Sequence, residues 1–122
     1  ISKTFVFDEV VAFSELSLDR NPIHLDKEYA KKGIFSDLIV HGLLTSSLIS
    51  AVIANKLPGP GSIYLSQSLK FLKPVYHNEE VVAKVKIVDI KHEKLIIMLE
   101  TQCFVNDIIV LDGIAVVKYM SL

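Results

Sequence analysis

The run SLDRNPIHLDKEYA, residues 17 to 30, sets a carboxylate at Asp19 and an imidazole at His24, with Asn21-Pro22 between them. These are the side-chain types most used to take a proton from a reacting molecule and return it. The residue before a proline is pushed out of the helical region, and Pro22 holds the chain just ahead of His24. A turn here can fold the two groups toward one point, where a straight helix or strand would separate them. The same residues also fit a plainer role, with Asp19 capping the turn and His24 a hydrogen-bonded core or surface histidine. A second group lies at Val40-His41-Gly42, directly ahead of an apolar segment. If that segment is a helix, the Gly42 N–H is an unpaired donor at its N-terminus, where the macrodipole favours negative charge. Alone this is an ordinary strand-to-helix junction; beside an acid and a histidine it offers an oxyanion-stabilising donor. His41 reads as a structural residue of the junction rather than a second base.

The elements that must position these groups follow from the apolar pattern. From Leu43 to Leu57 the large apolar residues surround nearly the whole circumference, with Thr45, Ser46, Ser47, Ser50 and Ala54 as small residues among them, which describes a buried helix. Leu57-Pro58-Gly59-Pro60-Gly61 ends it. Steps of three and four from Gly42 reach Ser46, Ser50 and then Ile53 or Ala54, so one face carries hydroxyls near the top and an apolar wall below. Shorter helices are expected at Asp8 to Leu18, stopping near Asp19, and at Asp26 to Lys32, ended by Gly33. Ile63 to Phe71 alternates apolar and polar with period two, and Val81 to Ile90, Leu95 to Val105 and Ile108 to Tyr119 are further strands. The polar breaks between them are too short for parallel crossovers, so the C-terminal half reads as an antiparallel meander. Asp112-Gly113 is expected to mark a bulge, and Lys3 to Phe7 is a candidate fifth strand. The fold class is α+β: one domain, residues 1 to 122, with a five-stranded antiparallel sheet curled around a central buried helix.

Composition narrows the function classes. At 122 residues the chain makes one domain, and hydrophobic residues form 51% of it, yet no apolar run approaches the roughly 20 residues of a membrane helix. The apolar surplus is therefore expected to be buried in the fold or against another subunit. Thirteen basic and fourteen acidic residues give a net charge of -1, and no basic stripe marks a nucleic-acid surface. The single cysteine, Cys103, lies in an apolar run and reads as a buried structural thiol. The four histidines, at 24, 41, 77 and 92, show no zinc spacing, and His77 and His92 fall in predicted turns where exposure is the default. A cytoplasmic location is expected, or an organelle matrix if a targeting segment precedes Ile1 and is removed.

The runs FSELSLDRNPIHLDKEYA (13 to 30), VHGLLTSSLIS (40 to 50), LPGPGSIYLSQSLKF (57 to 71) and AVVK (115 to 118) together resemble the (R)-specific enoyl-CoA hydratases, MaoC-like proteins of hot-dog fold. The resemblance spans nearly the whole chain. It implies a homodimer whose sheets join side by side, a substrate tunnel at the interface, and reversible addition of water to a trans-2-enoyl thioester to give the (R)-3-hydroxyacyl product. It further implies that Asp19 and His24 are the catalytic pair, Gly42 the oxyanion donor and Ser50 a supporting hydroxyl; Ser50 and Val116 are expected to border the substrate, and Ile53, on the helix face below Gly42, either walls the acyl tail or simply packs in the core. No metal or redox cofactor is implied, the CoA thioester being the substrate. Leu18 stands where the family motif usually has glycine, so a left-handed backbone there would be strained.

Three rival readings share the fold. An acyl-carrier-protein dehydratase would act on the same pantetheine thioester. An acyl thioesterase would often draw a carboxylate from the central helix, and Leu43 to Leu57 contains no Asp or Glu. A non-catalytic acyl-thioester-binding subunit would keep the fold without the chemistry. Lys70 and Lys73 flank the LKFLKPV segment and are candidates to meet CoA phosphates, with ordinary solvated lysines as the alternative.

Overall fold

The computed structural model describes residues 1–120, and within them the order of elements is β1 (Ser2–Thr4), α1 (Phe7–Ser17), α2 (Pro22–Leu25), α3 (Lys27–Lys31), α4 (Gly42–Asn55), β2 (Ser62–Gln67), β3 (Lys70–Phe71), β4 (Glu80–Lys91), β5 (Ile96–Val105) and β6 (Ile108–Tyr119). β4, β5 and β6 form the expected antiparallel meander, and β5 alternates strictly, burying Ile97, Leu99, Thr101, Cys103 and Val105. α4 lies against β4 and β5. Its Leu48, Ile49, Val52 and Ile53 pack into one cluster with Val81, Leu99, Cys103, Leu111, Ala115 and Val117. Each such aliphatic side chain contributes about 1.5–3 kcal/mol when taken fully from water, and so holds the helix in the curl of the sheet.

The sheet differs from expectation in three ways. Its strand order is β1-β4-β5-β6-β2, with β3 also on β6, so six strands replace five. The segment after α4 does not continue the meander; it crosses to the far side and pairs with β6. What reads as one strand from Ile63 to Phe71 is broken into β2 and β3 at Ser68. There the Ser68 Oγ accepts from the Ile114 N–H at 2.9 Å, and the Gln67 amide donates to the Ser68 carbonyl at 2.8 Å and to Thr101 Oγ1 at 2.9 Å. The Ser68 carbonyl comes so close to Gly113 that a side chain at 113 would overlap it. Gly113 is thus a close-approach glycine, in register with Thr101, and the bulge expected there falls instead at Val110.

α4 is also less enclosed than its composition implies. Leu43, Ser47, Ser50 and Ala54 are exposed in the single chain, so one face is open while the opposite one is core. Small and hydroxyl-bearing residues permit this, because Ser46 and Ser47 return their hydroxyls to the Leu43 and Leu44 carbonyls at 2.7 and 2.6 Å.

α1 begins with Asp8 and Glu9 in its first turn, and the Glu9 carboxylate accepts from the Val6 N–H at 3.1 Å. It ends at Leu18, whose φ of 68° and ψ of 7° are left-handed. Glycine is the usual residue in such a helix cap because it carries no Cβ to crowd the carbonyl. Leu18 is 72% exposed, so its side chain returns little packing for that strain. Leu18→Gly is expected to raise stability by roughly 1 kcal/mol, read as a higher urea midpoint at unchanged slope, while Leu18→Ala gains nothing.

Candidate active site

The loop after α1 is organised by its own side chains. The Asp19 N–H donates to Ser17 Oγ at 3.1 Å, and Asp19 Oδ1 accepts from the Asn21 N–H at 3.2 Å. Asn21 Oδ1 in turn accepts from the Ile23 N–H at 3.2 Å, with Pro22 in the first position of α2. Asparagine as cap and proline as first residue are strong helix-start signals, so Asn21-Pro22 opens a helical turn where the sequence reads only a turn. This single turn is too short to show any apolar periodicity.

α2 delivers His24 to the interior, where it is 8% exposed. Its Nδ1–H donates to the Ile39 carbonyl at 2.8 Å. A carbonyl only accepts, so in the neutral ring the proton sits on Nδ1 and Nε2 keeps its lone pair for a ligand. The ring stacks on His41, with centroids 3.8 Å apart and planes 28° apart.

His41 is the N-cap residue of α4 and is 2% exposed. Its Nε2–H donates to the Asp19 carbonyl at 3.2 Å, and Ser14 Oγ lies 3.0 Å from the same nitrogen. The edge of the ring meets Phe13, centroids 4.8 Å apart. Burial lowers its pKa, and the neighbouring His24 lowers it further. Kept neutral, His41 ties α1, the Asp19 loop and the start of α4 together, the junction role read from its sequence position.

A cleft of about 390 Å³ opens at this junction, and Asp19, His24 and Gly42 all line it. The first helical bond of α4 runs from the Thr45 N–H to the His41 carbonyl at 3.0 Å, so the Gly42 N–H precedes any intrahelical acceptor. Ser50, Ile53 and Val116 do not border this cleft: Ser50 is exposed on the open face of α4, Ile53 is 2% exposed in the core, and Val116 is half-buried in β6. Of the two lysines flanking β3, Lys73 lines the cleft and Lys70 does not. Phe35, Thr45 and Phe71 also line it. Nothing in their sequence context marks Phe35 or Thr45. Phe71, at the end of an alternating run, carries a weak signal.

Elsewhere, Cys103 is buried as expected, and desolvation raises its thiol pKa to about 11. His92 is exposed, but His77 is not the open turn histidine its context implies. Its ring lies 5.5 Å from that of Phe7, its Nε2 is buried without a partner, and desolvation lowers its pKa.

Asp19, His24 and His41 each bring one ligand atom within 4.8 Å of the others. Zinc needs imidazole nitrogens about 2.0–2.1 Å away with their lone pairs convergent on the ion. The two rings are stacked with planes 28° apart, so their in-plane lone pairs lie in two near-parallel planes and do not converge on one ion at that distance.

A family model described as MaoC like domain matches residues 2–105. The chain belongs to that family. Among the relatives of this MaoC-like chain, the (R)-specific enoyl-CoA hydratase of Aeromonas caviae is 44% identical over 119 residues, spanning 97% of this chain and 89% of the relative. The mitochondrial 3-hydroxyacyl-[acyl-carrier-protein] dehydratase of Solanum lycopersicum is 41% identical over 124 residues, spanning 99% and 74%. The solved (R)-hydratase from A. caviae involved in PHA biosynthesis has a TM-score of 0.95 at 44% identity, covering 98% of this chain and 92% of that one. The curled sheet and α4 are accordingly the hot-dog fold of the MaoC-like family.

The two histidines that desolvation disfavours in charged form, buried His41 and half-buried His77, make stability depend on pH. His41 and His77 have folded pKa values below their ordinary 6.5, so the unfolded chain takes up protons more readily. Their contribution is complete above about pH 6.5 and is lost as pH falls below it. The urea midpoint at pH 5.5 is expected to lie below that at pH 7.5; equal midpoints would contradict the burial assigned to these two rings.

Proposed function

We propose that this MaoC-like chain is a hydro-lyase that adds water reversibly across the double bond of a trans-2-enoyl-CoA, giving the (R)-3-hydroxyacyl-CoA. The observation that carries the reading is the convergence of Asp19, His24 and the Gly42 N–H on one cleft, and the identity to a hydratase of that activity supports it. With Nδ1–H held on the Ile39 carbonyl, His24 Nε2 accepts a proton from water. Asp19 Oδ1 already accepts from Asn21, which leaves the other carboxylate oxygen to orient that water. As the water oxygen bonds to C3 the pair takes its proton, and charge moves to the thioester oxygen, where Gly42 N–H donates. A proton delivered to C2 by the pair completes the product. The addition transfers no electrons between enzyme and substrate, so the chemistry calls for no redox group.

A second reading is favoured by the 41% identical dehydratase that acts on acyl-carrier-protein thioesters. The reaction and the roles of Asp19, His24 and Gly42 are the same; only the carrier of the thioester differs. Lys73, which lines the cleft, is the candidate contact for a CoA phosphate. Among the described residues no helix is long and apolar enough to cross a membrane.

The chain is further proposed to work as a homodimer. β2 is an edge of the sheet, and Ile63, Leu65, Phe71 and Leu72 on β2 and around β3 are 45%, 51%, 55% and 49% exposed. An apolar edge strand left in water is an invitation to pair, and a second copy supplies the complementary edge. Sedimentation at micromolar concentration is expected to give the dimer mass, and monomer alone would refute it.

Asp19→Asn removes the carboxylate charge, and His24→Gln keeps side-chain size at a buried position while removing the base. Each is expected to lower kcat for hydration of crotonyl-CoA by about 10²- to 10⁴-fold with a native circular dichroism spectrum. A near-normal rate in either folded variant would remove that residue from the chemistry.

A further inference from the structure

Phe71 is an unusual residue for its place. It is a large aromatic side chain, 55% exposed, on the two-residue strand β3, so the core does not require it. Yet it is firmly held. Lys70 and Phe71 pair with Asp112 and Leu111 of β6, and the next N–H groups, of Leu72 and Lys73, donate to the Val110 carbonyl at 2.9 and 3.3 Å.

The ring also decides what residue 42 can be. A Cβ on Gly42 would overlap Phe71 Cε1 and Cδ1 and meet Cζ at 3.3 Å. Gly42 is the first residue of α4 and needs no special backbone conformation, so what a side chain there would meet is the Phe71 ring alone. The two residues approach as wall and floor of the same cleft, one supplying an N–H without a helical acceptor and the other a surface that forms no hydrogen bond.

That pairing has an electrostatic consequence. A backbone N–H open to water on every side is solvated and meets a developing negative charge through a high dielectric. With a hydrocarbon wall on one side, the same donor acts at a lower effective dielectric, and the attraction rises by about fourfold when that value falls from 80 to 20. A ring set beside the donor by a paired backbone also limits where a thioester group can lie, which favours an oxygen in line with the N–H.

We propose that Phe71 is a positioning residue of this site, its ring walling the Gly42 N–H so that the thioester oxygen is held on that donor and water is kept away from it. The inference rests on the hydration reading above. Because the wall matters most when charge has moved onto the oxygen, its loss falls on kcat more than on KM.

Phe71→Leu and Phe71→Asn are close in size and differ in polarity, and because Phe71 also lies on the apolar edge proposed to pair with a second copy, the two are compared at equal dimer content by sedimentation. With crotonyl-CoA at a temperature well below either melting point, Phe71→Asn is expected to lose about tenfold in kcat, a fraction of the 10²- to 10³-fold that losing an oxyanion donor costs. Phe71→Leu is expected to lose less, and KM to change by less than about twofold in both. A merely structural role would order the two variants by melting temperature instead. Equal kcat values for Leu and Asn, a kcat for Asn at the wild-type level, or a change confined to KM would each overturn the role of Phe71 and leave the hydration reading standing. Wild-type protein inactive on enoyl thioesters would overturn both.

Discussion

The site depends on the burial of one histidine ring. His41 has lost almost all contact with water, and its Nε2–H must therefore find an acceptor within the protein; it finds the Asp19 carbonyl at 3.2 Å. Through that bond the loop carrying the carboxylate is tied to the start of α4. The ring face completes the join by stacking on His24, and Phe13 on α1 closes its edge. Three successive segments, α1, the Asp19 loop and α2, thus meet on one imidazole from the start of α4. Desolvation is what keeps this imidazole neutral, and a neutral ring can lie, centroids 3.8 Å apart, against a second histidine that accepts a proton in the proposed hydration. A charged His41 in the same place would oppose every proton taken up by His24.

Around this anchor, local conformational choices are made against ordinary preference. Leu18 holds a left-handed backbone while largely exposed, so the turn that aims Asp19 carries strain that a glycine would remove. At residue 42 the backbone is helical, yet a Cβ would meet the Phe71 ring, so any side chain there has to displace that ring. The strain at Leu18 and the close approach at Gly42 fall where α1 ends and α4 begins, while α4 packs into β4 and β5 with aliphatic side chains in ordinary surroundings. This division is the one expected when a rigid core supports a site whose groups must sit at set positions.

The polar interior has a similar logic. Thr101 is fully buried in the middle of β5, and its hydroxyl donates to the Gly113 carbonyl at 2.9 Å while accepting from the Gln67 amide. That network fastens the Ser68 break to the sheet and so sets where β3 begins. The break that places Phe71 on the cleft wall is thus fastened by a polar network that runs from the exposed Ser68 to the buried Thr101.

Much of the fold was legible from residue pattern. The long apolar helix, its Pro-Gly stop, the three C-terminal strands and the extent of α1 follow from periodicity and punctuation, which act over a few neighbouring residues. Asp19, His24 and Gly42 were also legible, since a short motif keeps its spacing whatever surrounds it, and all three line one cleft. Sequence did not show that β2 crosses to β6, that the strand breaks at Ser68, that His77 is half-buried, or that α4 keeps one face open. Each of these depends on which distant segment lies alongside, and a side chain's own type does not say that. Ile53 illustrates the limit: helical spacing places it on the side of α4 that continues from Gly42, but only the packed sheet decides that it fills the core and not the cleft. Sequence by itself determined which residue types with capacity for chemistry stand in one short motif and the elements that carry them, because those rest on local bonding rules. Tertiary structure alone decided which faces meet, because burial is a property of pairs of surfaces far apart in the chain.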